Sequence, residues 1–220
     1  SGDTFTKIWF PACQPFGRVK PKTKSVLVYQ YTLQRFVSNM TEKVILAGLG
    51  GQGMMLLGRL IAQAVMLEGK NVTFFPSYGT EVRGGTAYYH LIVSQEEIFS
   101  PVIEEADTLI MMNLPSYLKF KGFLKPKSSL FLNSSMIDKI DAPENIDIFR
   151  IPATEIANDL GNVVASNMVM LGAYNAVKNL ISIETFFSCL QNVLQGKKAP
   201  FFNVNKLAVE RGIDFVNLSK

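Results

Sequence analysis

Gly48, Gly50 and Gly53 stand in the run AGLGGQGMMLLG (47–58) at the spacing G-x-G-x-x-G. Between a strand and a helix, that spacing lets the backbone turn tightly and approach an anion. The unpaired N–H groups of the helix start then favour phosphate or carboxylate. The same glycines also suit packing alone, with Gly53 allowing close helix–strand approach and Gly48 and Gly50 a tight corner. A nicotinamide dinucleotide fits poorly. The ribose of such a cofactor is held by Asp or Glu near the end of the second strand, where this chain has Phe74-Phe75-Pro76-Ser77 and no carboxylate before Glu81. No arginine replaces it at the strand end, and no Gly-Lys-Ser/Thr follows the glycines as a phosphate loop requires.

A second segment, SYGTEVRGG (77–85), carries the other convergent polar groups. It follows the second predicted strand and is expected at the same sheet edge as the glycine turn. Arg83 offers a planar donor fork for carboxylate or phosphate. Gly79, Gly84 and Gly85 leave backbone N–H groups accessible, Glu81 can orient Arg83 or pair with a partner subunit, and Tyr78 can line a ligand edge. A surface loop with one exposed ion pair is the plainer alternative.

The remaining reactive side chains read as structural. His90 is the only histidine and sits on an alternating strand, so no Ser-His-Asp or Cys-His set can be assembled around it. Cys189 lies in the apolar FFSCLQNVL and is expected to be a core thiol. Met54, Met55, Met111, Met112, Met168 and Met170 fall on core segments, and Glu96-Glu97 and Glu104-Glu105 read as solvated charge. Asn162 and Asn167, polar among apolar neighbours, are expected to cap or bridge backbone groups at the GN and SN breaks.

These residues need a scaffold that alternates strands and helices. Strands are predicted at 43–48, 71–75, 86–94, 106–113, 128–135 and 146–152, where short β-branched or apolar runs end in turn residues. Helices are predicted at 54–69, 115–124, 153–160, 166–180, 183–195 and 203–211. In the first of them Leu56, Leu57, Leu60, Ile61, Ala64 and Val65 share one face, and Gly69 marks the C-terminal cap. This order specifies an α/β chain with an open, mostly parallel sheet, helices on both faces and a helical C-terminal third. Segment 86–94 is expected to add an antiparallel element beside 71–75. Ala157, Leu160, Val163, Val164, Val169 and Leu171 are expected in the core, and Gly172 and Ala173 to permit close helix approach.

Hydrophobic residues make up 48% of the 220 and charged residues 18%, the balance of a globular chain. No apolar run is long enough to cross a bilayer, and the first 30 residues lack the continuous apolar region of a secretory signal. The two cysteines, Cys13 and Cys189, form no C-x-x-C, which argues against iron–sulfur or zinc ligation within the chain. A reducing cytoplasm is the expected compartment. The net charge of +4 is concentrated at one end: residues 1–39 carry six basic side chains against Asp3, leaving −1 for the rest. Neither a nucleic-acid partner nor a membrane partner is expected. Residues 1–39, including a candidate strand at 26–36, are read as a basic leader or appendage, and 40–220 as a single α/β domain.

Four segments in order, GLGGQGMMLLGRLIAQA, SYGTEVRGGTA, PVIEEADTLIMMN and PATEIANDLGN…SNMVMLGAY, resemble the gamma subunit of the 2-oxoacid:ferredoxin (acceptor) oxidoreductases, most of all the 2-oxoglutarate and branched-chain members. The resemblance spans nearly all of 43–180 and leaves out 1–39. It implies a Rossmann-like domain within a multi-subunit enzyme that oxidatively decarboxylates a 2-oxoacid, passes the acyl group to coenzyme A and reduces ferredoxin. It further implies alpha-, beta- and delta-type partner subunits carrying thiamine diphosphate, Mg and the iron–sulfur clusters. On this reading the chain holds no cofactor by itself, shares coenzyme A with its partners, has no catalytic residue or metal of its own, and is inactive alone; when isolated, a homodimer is possible. The edge facing the cofactors would comprise Gly48, Gly50, Gly51, Gln52 and Gly53, with Ser77, Tyr78, Glu81, Arg83, Gly84 and Gly85. Two other readings compete with it: a stand-alone nucleotide-binding regulatory module and a non-catalytic scaffold subunit.

Overall fold

Strand β1 (Glu42–Leu49) is the axis of the sheet. Its run Val44–Ala47 is apolar on every residue and fully buried, as expected of a strand covered on both faces. In the computed structural model, which describes residues 41–77 and 86–218, β1 leads into helix α1 (Met54–Leu67) and then into strand β2 (Asn71–Ser77). Strand β3 (Thr86–Ser94) returns between them, antiparallel to both. The chain then crosses to the other side of β1, where strands β4 (Ala106–Met111), β5 (Leu124–Asn133) and β6 (Asp147–Ile151) add in parallel. The six-stranded order is β2-β3-β1-β4-β5-β6. Only β3 runs against the rest, so the expectation of one antiparallel element at 86–94 is met.

Two apolar layers cover the sheet, and strand alternation decides which residue enters which. Val44, Leu46, Tyr89, Leu91, Ile110 and Phe131 face the larger layer. It is filled by α1 and by the helices after β6: α3 (Ala153–Asp159), α4 (Ser166–Lys178), α5 (Ile183–Val193) and α6 (Phe202–Leu218). Ile45, Ala47, Ile92, Leu109, Leu130 and Leu132 face the smaller layer, where helix α2 (Leu114–Phe120) contributes Tyr117 and Phe120. Helices therefore lie on both faces, but unequally. Of the predicted stripe of α1, Leu57, Leu60, Ile61, Ala64 and Val65 are buried and Leu56 is half-buried, while Met54 is buried as well; Gly69 follows in the left-handed region at φ 76°.

Three expectations are corrected. Helix α6 does not stop at 211 but continues through Gly212 to Leu218, because Gly212 is a contact point rather than a break. Val163 and Val164 are exposed: they occupy a 3₁₀ turn (Val163–Ala165) that leads into α4. Met55 lies at the solvent side of α1 rather than in the core. The leader 1–39 with its candidate strand 26–36, and Tyr78, Glu81, Arg83, Gly84 and Gly85 of the second loop, lie outside the described residues. No described helix is long and apolar enough to cross a membrane.

Candidate functional site

The chain changes direction across the sheet at β1: it first departs towards β2 and later resumes beside β1 with β4. In open α/β sheets such a switch leaves a crevice beyond the carboxyl ends of the two strands, and ligands bind there. In this sheet that switch position falls between the glycine turn after β1 and Met112-Asn113 after β4. The two strand ends are fastened by the Met112 N–H, which donates to the Ala47 carbonyl at 2.9 Å.

The turn is built by its own sequence. The Gln52 N–H donates to the Leu49 carbonyl at 3.2 Å, and the Gln52 Oε1 accepts from the Leu49 N–H at 2.7 Å. This side chain therefore closes the corner, and its carbonyl oxygen is engaged inside the turn. Gly48 is buried beneath it: a Cβ there would stand 2.7 Å from Gln52 Oε1 and 3.1 Å from both Met112 Cβ and Met54 Cγ. Gly50 and Gly51 face solvent. Gly51 has φ 96° with no atom within 4 Å of the Cβ it lacks, so its backbone can be approached closely from outside.

Gly53 caps α1 in the left-handed region, at φ 69° and ψ 17°. Its carbonyl accepts from the Leu57 N–H at 3.1 Å and from the Asn167 Nδ2 at 3.0 Å. A side chain on Gly53 would collide with that amide. No carboxylate occupies the first turn of α1, so nothing in that turn competes with an incoming anion for its unpaired N–H groups. Asn167 does bond a backbone group, but not at the expected SN break: its one side-chain bond reaches a carbonyl 114 residues away in sequence. Asn162 makes no side-chain cap; its carbonyl instead accepts the Ala165 N–H at 2.9 Å.

The neighbouring strands bring further residues to this edge. Ser77, at the end of β2, lies in one row with Tyr88 of β3 and Ala47 of β1, while Thr86 pairs with Leu49. The described ends of the second loop therefore stand beside the glycine turn. Two buried asparagines, which the sequence reading did not single out, shape the far side. Asn113 caps α2 by accepting the Ser116 N–H at 2.9 Å, leaving its Nδ2 buried without a partner. Asn133 donates to Thr154 Oγ1 at 2.8 Å and accepts the Thr154 N–H at 3.3 Å, tying the end of β5 to the start of α3. Their signal in the sequence is an Asn directly after an apolar strand run, in LIMMN and LFLN. Leu49, just before the turn, and Met55, just after it, are exposed apolar side chains, as are Val163 and Val164 ahead of α4.

The other singled-out residues serve the fold. His90 Nδ1 accepts the Ile103 N–H at 3.3 Å, and burial holds its imidazole below its ordinary pKa. Tyr89 stacks on Phe74 with centroids 5.3 Å apart, and Tyr88 packs on Phe120 at 4.8 Å with the Lys119 ammonium 4.6 Å from its ring centre. Cys189 is a buried thiol on α5. Among the described residues no three His, Cys, Asp or Glu side chains converge as a metal site.

A family model described as pyruvate ferredoxin/flavodoxin oxidoreductase matches residues 43–215. The ketoisovalerate oxidoreductase subunit VorA of Methanothermobacter marburgensis is 32% identical over 174 residues, covering 79% of this chain and 36% of that protein. The chain thus spans little more than a third of the VorA relatives it matches. The 2-oxoglutarate synthase subunit KorC of the same organism is 31% identical over 160 residues, covering 70% of this chain and 86% of its own. Among solved structures, the keto/oxoacid ferredoxin oxidoreductase gamma subunit of Geobacter sulfurreducens superposes with a TM-score of 0.70 at 26% identity, covering 80% of this chain and 99% of that one. The 2-oxoglutarate:ferredoxin oxidoreductase of Magnetococcus marinus, solved with 2-oxoglutarate, coenzyme A and succinyl-CoA bound, gives a TM-score of 0.75 at 25% identity, with 81% and 31% covered.

Proposed function

This chain belongs to the pyruvate ferredoxin/flavodoxin oxidoreductase family, and from that premise we propose that it is the gamma-type subunit of a multi-subunit 2-oxoacid:ferredoxin oxidoreductase. The reaction is oxidative decarboxylation of a 2-oxoacid to an acyl-coenzyme A, with the electrons passed to ferredoxin. The names of the relatives support a 2-oxoglutarate or branched-chain 2-oxoacid as substrate. Thiamine diphosphate, Mg and the iron–sulfur clusters belong on alpha-, beta- and delta-type companions. The compartment that goes with this assembly is the cytoplasm.

The observation that carries the reading is the turn itself: a glycine backbone at the switch point, open at Gly51, backed by a helix start free of carboxylates. The phosphates of coenzyme A fit such an edge, since backbone N–H groups can approach them without a Cβ in the way. Gly48, Gly50, Gly51, Gln52 and Gly53 form one wall. The second loop, through Ser77, Tyr78, Glu81, Arg83, Gly84 and Gly85, supplies the other, with Arg83 as its cation. When bound, coenzyme A supplies the thiol that takes up the acyl group. The role of this chain is to hold the phosphate end and to exclude water, while the exposed Leu49, Met55, Val163 and Val164 meet the companion subunits.

Kinetics of the assembled enzyme test this reading. Arg83→Ala is expected to lower kcat/KM for coenzyme A by about tenfold or more, the scale of one lost charge-assisted contact, while the melting temperature of the chain stays within a few degrees. Unchanged coenzyme A kinetics would remove Arg83 and its loop from the site.

A further inference from the structure

We infer that Asn167 is a positioning residue for the glycine turn: it sets the direction in which the first amide of α1 meets an anionic ligand. The inference rests on the functional reading above and deepens it.

The Gly53 carbonyl and the Met54 N–H belong to one planar trans peptide and point in opposite directions. Fixing the carbonyl therefore fixes the N–H. Two donors hold that carbonyl, the Leu57 N–H from inside α1 and the Asn167 Nδ2 from α4. With both in place, the Met54 N–H is directed away from the helix body, out of its N-terminus. A left-handed glycine is the residue least able to keep such a plane by itself, because φ and ψ are little restricted by sterics. Asn167 supplies the missing restraint.

The side chain is placed firmly enough to do this. Asn167 is buried, and its Oδ1 is enclosed with no hydrogen-bond partner, so the residue is held by its one donated bond and by the helix that carries it. Two residues further on, the Val169 carbonyl is pressed by Gly212 of α6, closer than any Cβ would allow. The C-terminal helix thereby sets the height of α4 against the turn.

The test joins amide exchange of the full chain with kinetics of the assembled enzyme. The Leu57 amide, whose acceptor is the carbonyl Asn167 holds, is expected to exchange about tenfold faster in Asn167→Ala, the scale of one lost hydrogen bond. Amides of Leu130 and Phe131 in β5 should be unchanged, showing an intact fold. In the enzyme, KM for coenzyme A is expected to rise about fivefold while kcat and KM for the 2-oxoacid stay within about twofold. Asn167→Asp, which keeps the shape but loses the donor, should do at least as much. Unchanged Leu57 exchange in both variants, or an unchanged KM for coenzyme A in an active enzyme, overturns the inference. Turnover of the unmodified enzyme without coenzyme A overturns the functional reading, and this role of Asn167 with it.

Discussion

Gly212 of α6 lies against the carbonyl oxygen of Val169 in α4, and the contact is reciprocal: Gly172 of α4 lies against the carbonyl oxygen of Val209 in α6. A Cβ on either glycine would stand closer than 3.0 Å to backbone that has no rotamer to yield. The two helices meet backbone to backbone, and the sites of closest approach admit no side chain.

Gly212→Ala is therefore expected to destabilise the chain, although alanine is the better helix former by about 1 kcal/mol. Overpacking a rigid contact costs about 1–3 kcal/mol and here must outweigh that gain. Urea unfolding followed by circular dichroism should show a lower midpoint for Gly212→Ala and for Gly172→Ala. A higher midpoint would mean that the helices separate without cost.

The helix boundary at this site shows what the sequence could convey. The apolar stripe of α1 and the continuous apolar run of β1 were legible because burial itself writes those periods. The predicted helix 203–211 stops just short of Gly212, and glycine is a poor helix former. Only the opposing Val169 carbonyl explains its presence mid-helix. Val163 and Val164 failed for the converse reason: nothing local distinguishes an apolar residue in the core from one at an exposed edge. The glycine turn was visible from its spacing, and the bridging role of Asn167 was anticipated, but its partner, Gly53, lies 114 residues away. Asn113 and Asn133 passed unnoticed, since a polar residue after a strand ordinarily signals no more than a turn.

Tyr174 carries a hydroxyl that is fully enclosed and has no partner. Burial, with the carboxylates of Glu42 and Asp107 nearby, pushes its pKa well above the ordinary value, so it stays neutral throughout the working range. Its ring meets Phe131 edge-on with centroids 5.5 Å apart. Tyr174→Phe keeps that packing and removes the stranded polar atom. The variant should match the parent or exceed it by up to about 1 kcal/mol. A loss of more than that in urea unfolding would reveal a hydrogen bond to buried water.

His90 predicts a pH dependence. Burial lowers its folded pKa below the ordinary 6.5, and its Nδ1 must be unprotonated to accept the Ile103 N–H. As pH falls, the unfolded chain takes up this proton first, so protonation favours unfolding. The contribution of His90 is complete above about 6.5 and declines as pH drops from there through the lower folded value. Urea midpoints between pH 8 and 5 should fall with acid in the parent and fall less in His90→Gln. Identical slopes would assign the acid sensitivity to the carboxylates.

The central claim is membership in a coenzyme A-dependent assembly, and isolation of the tagged full-length chain from its native extract tests it most directly. The purified material should contain companion subunits and should reduce ferredoxin only when a 2-oxoacid and coenzyme A are both supplied. A chain recovered alone while those companions are present in the extract, or ferredoxin reduction that proceeds without coenzyme A, would contradict it.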